Sequence, residues 1–467
     1  MNAHLSVIMI VRDAAATLDR CISSVREIAG QIVVIDTGST DATMAIAKRV
    51  GCDLHEFAWC DSFAAARNES LRHAKGKWCL WIDADESISN STAAEIKQLV
   101  AENDALAAYS MRQVSRTVNN DIVHDQLRLF TRSEHVKWTR RVHEELGPSL
   151  AASGYELRKT NLEILHDGYE SESTVREKWQ RNLKLLNLEL NDSPRDPIAL
   201  LHKAHICRKL ERRDEIGSCL ELAWANFPRD DERLVLLAME SVNWFQRCND
   251  RNSAVAVCRE TLEHYPSNAV IRIALADLIR NSALHESIDV LSTITRSDCD
   301  AWCMGANPDA LWVQSRNNLA ICLRMANRFN EAEKTWHETL SIQSNRESAL
   351  QGLAELMIIQ GQLDKAEVFT AQLVRETNNG SEARLLSARL ALRHNSVDDA
   401  SRILCTLSQT EVRPRLLRAE LAIRMGNHAR SREIFDSILV DDPGNREAAS
   451  GLAWLNNQCA SENGHNE

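Results

Sequence analysis

The chain has 467 residues, 44% hydrophobic and 26% charged, with a formal net charge of −11. That length exceeds what one ordinary core serves and implies two or three domains, while the acidic balance excludes general nucleic-acid binding, which needs a basic footprint. No run approaches the roughly 20 apolar residues of a membrane-spanning helix, no basic segment followed by a long apolar one opens the chain, and the 13 cysteines form no Cys-x-x-Cys pair; a cytoplasmic protein with reduced thiols is expected.

Leu5 to Val11 is an almost unbroken apolar run, as expected of a parallel strand covered on both faces. Ala14 to Ile28 has helical spacing, with Leu18, Ile22, Val25 and Ile28 on one side. Ile32 to Ile35 reads as a second strand, ending at Asp36 and the turn Thr37-Gly38-Ser39-Thr40-Asp41. Gly38 permits a tight turn, and Ser39 or Thr40 is placed to cap a helix from Ala42 to Val50. A short strand over Asp53 to Phe57, a helix over Phe63 to Ala74 and a strand over Trp78 to Ile82 follow. Strands alternating with helices predict an α/β domain with a mainly parallel sheet, whose loops bring Arg12, Asp36 and Asp83 to one sheet edge.

The run Trp78 to Ile82 ends abruptly in three acids, Asp83, Asp85 and Glu86. Side chains alternate along an extended chain, so Asp83 and Asp85 are expected on one face just beyond the strand. Ligands of open α/β sheets bind in the crevice at the carboxyl ends of the strands. Two carboxylates there, with no basic residue between them, suit a hard divalent cation that also holds phosphate oxygens.

The series VRDAAATLDRCISSV (Val11 to Val25), VVIDTGSTDAT (Val33 to Thr43), SFAAARNESL (Ser62 to Leu71) and WIDADE (Trp81 to Glu86) resembles the family 2 glycosyltransferases of the GT-A fold, a Rossmann-like architecture. RLF (Arg128 to Phe130), RRVHEEL (Arg140 to Leu146) and ILHDGY (Ile164 to Tyr169) look like the bacterial branch of that family, which includes enzymes that glycosylate bacteriocin peptides and enzymes of lipopolysaccharide core synthesis. The resemblance covers roughly residues 4 to 190. It implies that Asp36 hydrogen-bonds the base of a UDP-type donor, with Arg12 beside the base or ribose. Asp83 and Asp85 match the DXD motif, the first facing ribose or metal and the second binding Mn²⁺ or Mg²⁺ on the diphosphate. Arg67 is placed to contact phosphate or to form a surface ion pair, with Asn68 as its neighbour. Glu144 is the first choice of catalytic base, Glu145 and Glu86 being the alternatives. His143 is expected in the donor site or holding it together, and His166 completes the metal or diphosphate shell. The short segment between Glu86 and Arg140 leaves acceptor recognition unaccounted for.

Small residues recur in the second half. Ala320, Ala354 and Ala388 are spaced by 34, as are Ala332, Ala366 and Ala400, with Asn327, Gly361 and Asn395 at matching turns. That period resembles tetratricopeptide repeats, an all-α solenoid in which small side chains let paired helices pack closely. The domains read as 1–190 (transferase), 191–309 (helical, degenerate repeat-like) and 310–467 (tetratricopeptide repeats), with the break at Asn191 to Pro197. A repeat array suits extended peptides or self-association into a homo-oligomer, and Trp302, Trp312 and Trp336 are candidates for a groove. The expected activity is metal-dependent, inverting transfer of a hexose or N-acetylhexosamine from a UDP-sugar to a peptide or protein side chain presented by the repeats. Transfer to lipopolysaccharide core or another surface glycan, and a scaffold with an inactive transferase domain, are the alternatives.

Overall fold

The computed structural model describes residues 4–102, 106–115, 122–166, 172–301, 307–342 and 346–463. They fall into two units, Met1–Ile271 with Ser297–Pro308, and Arg272–Arg296 with Asp309–Glu467. In the first unit, β1 (Leu5–Val11) shows why its run is apolar throughout. Leu5, Val7, Met9 and Val11 pack into one core with Leu18, Ile22 and Val25 of α1 (Leu18–Val25), while Ile8 packs into another with Phe130, Trp138 and Leu150. Both faces are covered, as buried parallel strands require.

β2 (Gln31–Asp36), β3 (Asp53–Glu56) and β4 (Trp78–Trp81) join β1 in parallel, in the order β3-β2-β1-β4. The predicted parallel sheet is this half. β5 (Glu86–Ile88), β6 (Ala107–Ser115), β7 (Ile122–Thr131) and β8 (Glu156–His166) extend it as β4-β7-β6-β8-β5, in which only β6 and β8 pair in parallel, so the whole sheet is mixed. α2 (Thr43–Arg49) and α3 (Phe63–His73) connect the parallel strands; α4 (Asn90–Glu102) and α5 (Gly147–Ala152) follow.

Two local expectations fail for the same reason. Ala14 to Thr17 do not begin a helix, and neither Ser39 nor Thr40 caps α2. The loops after β1 and β2 bond to each other instead: Asp13 N donates to Ser39 Oγ (2.9 Å), Ala14 N to Thr43 Oγ1 (2.7 Å) and Thr40 N to Asp13 Oδ1 (2.7 Å). Short polar side chains that can bond neighbouring backbone compete with helix formation in this way. Gly38, at φ +105°, makes the turn, as its sequence position predicts.

From α6 (Glu172–Asp192) onward the first unit is helical: α7 (Pro197–Lys209), α8 (Arg213–Asn226), α9 (Leu234–Arg247) and α10 (Arg251–His264). The predicted break at residues 191–197 is a helix start, where Asp196 accepts from Ile198 N (2.9 Å) and Ala199 N (3.1 Å) and Pro197 opens α7. These helices share a core with Trp59, Phe63 and Val142 of the sheet domain.

The second unit holds the predicted repeats as helical hairpins: Pro308–Met325 with Phe329–Thr339, Arg346–Ile359 with Leu363–Glu376, Ser381–Arg393 with Val397–Leu404, and Val412–Arg424 with His428–Asp441. Ala320, Ala332, Ala354, Ala366, Ala388 and Ala400 are all fully buried. Asn327, Gly361, Asn395 and Gly426 take left-handed backbone at the hairpin turns, where Gly and Asn pay least. Trp336 does not line a groove. It is 1% exposed, donates from Nε1 to Asn317 Oδ1 (2.9 Å) and fills the space over Gly352. Trp312 is half-buried under the Arg316 guanidinium, and Trp302 lies outside the described residues.

A Cβ at Gly352 would sit 2.2 Å from the Trp336 ring, which cannot retreat from its buried seat. Gly352→Ala is therefore expected to destabilise the second unit by about 1–3 kcal/mol, the usual cost of overpacking, read as a lower midpoint in urea unfolding of the full chain.

Candidate active site

The acids after β4 occupy a turn, and the turn divides their roles. Asp83 and Asp85 line a cavity of about 690 Å³ at the carboxyl ends of β1 and β4. Glu86 turns the other way and is wholly buried. It receives Arg128 Nη1 (2.7 Å) and Nη2 (2.8 Å), Gln113 Nε2 (2.6 Å) and the Asp83 backbone N–H (2.9 Å). Burial pushes the Glu86 carboxyl up, with Arg128 opposing. Every oxygen of this side chain is engaged, so Glu86 is not the alternative base; it braces the turn that presents Asp83 and Asp85.

Arg67 of α3 is not at the surface. Only 7% exposed, it donates from Nη2 to Asp83 Oδ1 (3.0 Å) and from Nε to Glu144 Oε1 (2.5 Å), with its guanidinium carbon 4.3 Å from the centre of the Trp81 ring. Burial opposes its charge, but the two carboxylates outweigh burial and hold it protonated. The Arg128 guanidinium stacks over the same indole at 3.6 Å. Asn68 joins the next loop, accepting from Trp138 N (2.8 Å) and donating to Trp138 O (2.9 Å).

Glu144 stands in the loop between Thr139 and Glu145, which is closed by reciprocal backbone bonds of 3.0 and 3.1 Å. Arg140 (φ +72°) and His143 (φ +54°) both take left-handed backbone, a conformation costing about 1–3 kcal/mol for a non-glycine residue. Partners hold them there. Arg140 reaches Glu189 (3.3 Å) and Asp196 (2.8 Å), and the His143 ring stacks on His202 with centroids 4.0 Å apart. Glu145 is tied by Arg140 (3.2 Å) and Arg233. Its carboxylate is committed to these cations, and among the adjacent acids Glu144 alone lines the cavity.

Arg12 and His143 line the cavity with Arg67, Asp83, Asp85, Glu144 and His166, so the sequence-predicted residues meet, with one exception. Asp36 does not line it. Its Oδ1 accepts from Gly38 N and Ser39 N (both 2.9 Å), and its buried Oδ2 has no hydrogen-bond partner among the described residues. Buried carboxylate oxygens are rarely left so.

His166, at the end of β8, puts Nε2 3.3 Å from Asp85 Oδ2 while Nδ1 meets Ser115 Oγ at 3.2 Å. Burial alone would raise the Asp85 carboxyl, but the His166 bond and charge hold it below the ordinary carboxylate value; the same bond raises His166. Asp85 and His166 both line the cavity, and Ser115 orients the imidazole through Nδ1; a carboxylate and an imidazole so placed fit Mn²⁺ or Mg²⁺ as part of a shell. Among the described residues no group of three or more His, Cys, Asp or Glu side chains could hold an ion unaided, so substrate oxygens would have to complete that shell. Asp167 to Tyr169 of the late motif lie outside the described residues.

Lys178, Arg181 and Asn182 of α6 also line the cavity and escaped the sequence reading. Their i, i+3, i+4 spacing, which puts them on one face of a helix, was the available signal.

Residues 6–154 match the family described as Glycosyl transferase family 2, so the N-terminal third of the chain is a family 2 glycosyltransferase domain. A TPR repeat-containing protein of Synechococcus elongatus is 33% identical over 216 residues, covering 44% of this chain and 51% of that one. The SPbeta prophage-derived glycosyltransferase SunS of Bacillus subtilis is 26% identical over 234 residues, 48% of this chain and 54% of that one. The chain thus spans about half the length of these curated relatives. A tetratricopeptide repeat protein from Parabacteroides merdae aligns with a TM-score of 0.48 at 15% identity, covering 56% of this chain and 98% of that one. No helix among the described residues is long and apolar enough to cross a membrane.

Removing Arg128 would leave the Glu86 charge buried without its cation. Arg128→Leu is expected to cost about 3–5 kcal/mol of stability, measured by denaturant unfolding, and an unchanged midpoint would contradict the bracing role given to the pair.

Proposed function

We propose that the cavity binds a UDP-type nucleotide-sugar and that the chain transfers its hexose or N-acetylhexosamine, with inversion, to a peptide or protein side chain. The observation that carries this reading is the convergence of Asp83, Asp85, Arg67 and Glu144, all within the residues that match glycosyl transferase family 2, with His166 from beyond them, on one cavity. Asp36, next in the chain to the cavity-lining Thr37, has an unpartnered Oδ2, an acceptor of the kind that a base N–H such as uracil's needs. Arg12, exposed at the cavity edge, lies next in the chain to β1 and suits the ribose or base. Lys178 and Arg181 bring positive charge to a cavity that would receive a diphosphate.

Asp85 and His166, with Asp83 beside them, are the residues that would hold Mn²⁺ or Mg²⁺, and a bound ion would neutralise charge developing on the departing diphosphate. The reaction breaks the anomeric C–O bond through an oxocarbenium-like state, the electron pair leaving on the diphosphate. An acceptor hydroxyl or thiol attacks the opposite face of the sugar, and Glu144 takes its proton. Arg67 occupies Glu144 Oε1 and leaves Oε2 without a partner among the described residues, the oxygen suited to that task. One displacement inverts the anomeric centre and needs no covalent intermediate.

A peptide acceptor is supported by a groove of about 440 Å³ in the second unit, where Leu386, Leu416 and Leu417 offer apolar contacts and Arg389, Arg413 and Glu420 offer charge. Extended chains bind repeat arrays on such mixed surfaces.

Two substitutions separate the roles. Asp85→Asn should abolish transfer and weaken Mn²⁺-dependent UDP binding at least about tenfold in calorimetric titration, in line with the loss of a metal ligand; full activity would refute the metal assignment. Glu144→Gln should slow turnover by roughly 10²- to 10⁴-fold, the contribution usual for a general base, with UDP affinity unchanged. Wild-type turnover in that variant would move the base elsewhere.

A further inference from the structure

The Glu144 loop gets its shape from helices that follow the sheet in the chain. Its Val142 side chain is 4% exposed and packs in the helical core with Leu183, Leu186, Ile198 and Leu201. Glu189 of α6 accepts the Arg141 backbone N–H (2.7 Å), and Arg141 Nη2 reaches Asp192 (2.8 Å). Arg233, one residue before α9, reaches Glu145. His202 of α7 stacks on His143, the residue next to Glu144, with an interplanar angle of 13°. Two left-handed residues in one short loop will not persist unless surrounding structure over-determines them, and beside Arg67 and Phe63 of α3 that structure comes from α6, α7 and the residue before α9.

We propose that α6 to α9 are part of the catalytic apparatus rather than a spacer before the repeats, and that His202 is a positioning residue: its ring holds His143, and through it Glu144, against Arg67 and toward the cavity. The inference rests on the reading of Glu144 as the base. The stack is suited to the task. Parallel imidazoles at 4.0 Å resist rotation of the loop about its ends, and desolvation lowers the pKa of both rings, which keeps them neutral and free of mutual repulsion. His205, one turn along α7, is occupied by Glu240 (2.6 Å), which also holds Arg208 (2.7 Å), so the neighbouring charges on this face are satisfied. A loop so held fixes the distance from Glu144 to an acceptor, and a misplacement of about 1 Å at such a point can cost roughly 100-fold in rate.

The test uses the full chain with UDP as the binding probe. His202→Ala should lower turnover roughly 10- to 100-fold while leaving UDP affinity and the melting temperature close to wild type. His202→Phe, which keeps a flat ring in the same place, should restore most of the rate. Unaltered turnover in His202→Ala, or equal losses in the two variants, would overturn the proposal. A crystal structure of His202→Ala gives a reading independent of activity. Displacement of Glu144 from Arg67 supports the positioning role, and an unmoved Arg67–Glu144 pair overturns it. Wild-type turnover in Glu144→Gln would instead defeat the base assignment, leaving the structural readout to decide whether His202 positions the loop.

Discussion

One buried guanidinium organises the transferase domain. Arg67 bonds Asp83 on one side and Glu144 on the other, joining a turn after β4 to a loop 61 residues later in the chain. A buried arginine is costly unless its donors are matched by carboxylates of good geometry. The requirement runs both ways, because the same guanidinium is the hydrogen-bond donor that fixes one oxygen of each acid. The donor side and the acceptor side of the proposed reaction therefore depend on a single side chain, which lies over Trp81 and is half of a pair of guanidiniums on that ring.

The carboxylates around the cavity are sorted by what they touch rather than by how far they stand from it. Glu86 and Glu145 are adjacent in sequence to residues that line the cavity, yet neither lines it and each is tied to arginine, Glu86 to Arg128 and Glu145 to Arg140 and Arg233. Asp85 and Glu144 line the cavity, one beside an imidazole and one beside a guanidinium. Acids bearing structural charge and acids available for chemistry thus alternate along two short segments, and the arginines decide which is which.

Much of this was legible in the residues themselves. The unbroken apolar run of β1, the acids closing β4 and the 34-residue recurrence of alanines each follow from periodicities that packing enforces. What escaped was whatever depends on long-range partners. Glu86 and Glu145 stood as alternatives to Glu144 because nothing local reveals that Arg128 and Arg233 will take them. Ser39 looked like a helix cap because its engagement with Asp13 is set by a loop 26 residues away. The antiparallel half of the sheet was missed because β6 and β7 are half-polar strands, and Trp336 looked like a groove residue because the glycine that receives it lies on the next hairpin.

Trp81 donates its indole N–H to Leu127 O (2.6 Å) and underlies both Arg67 and Arg128. Its excited state senses charge near the ring, and Arg67 is the cation touching Asp83 and Glu144, two of the acids that line the cavity. The molecule thereby carries an optical gauge in its own wall: neutralising, moving or coordinating either acid alters the field at that chromophore without any label being attached.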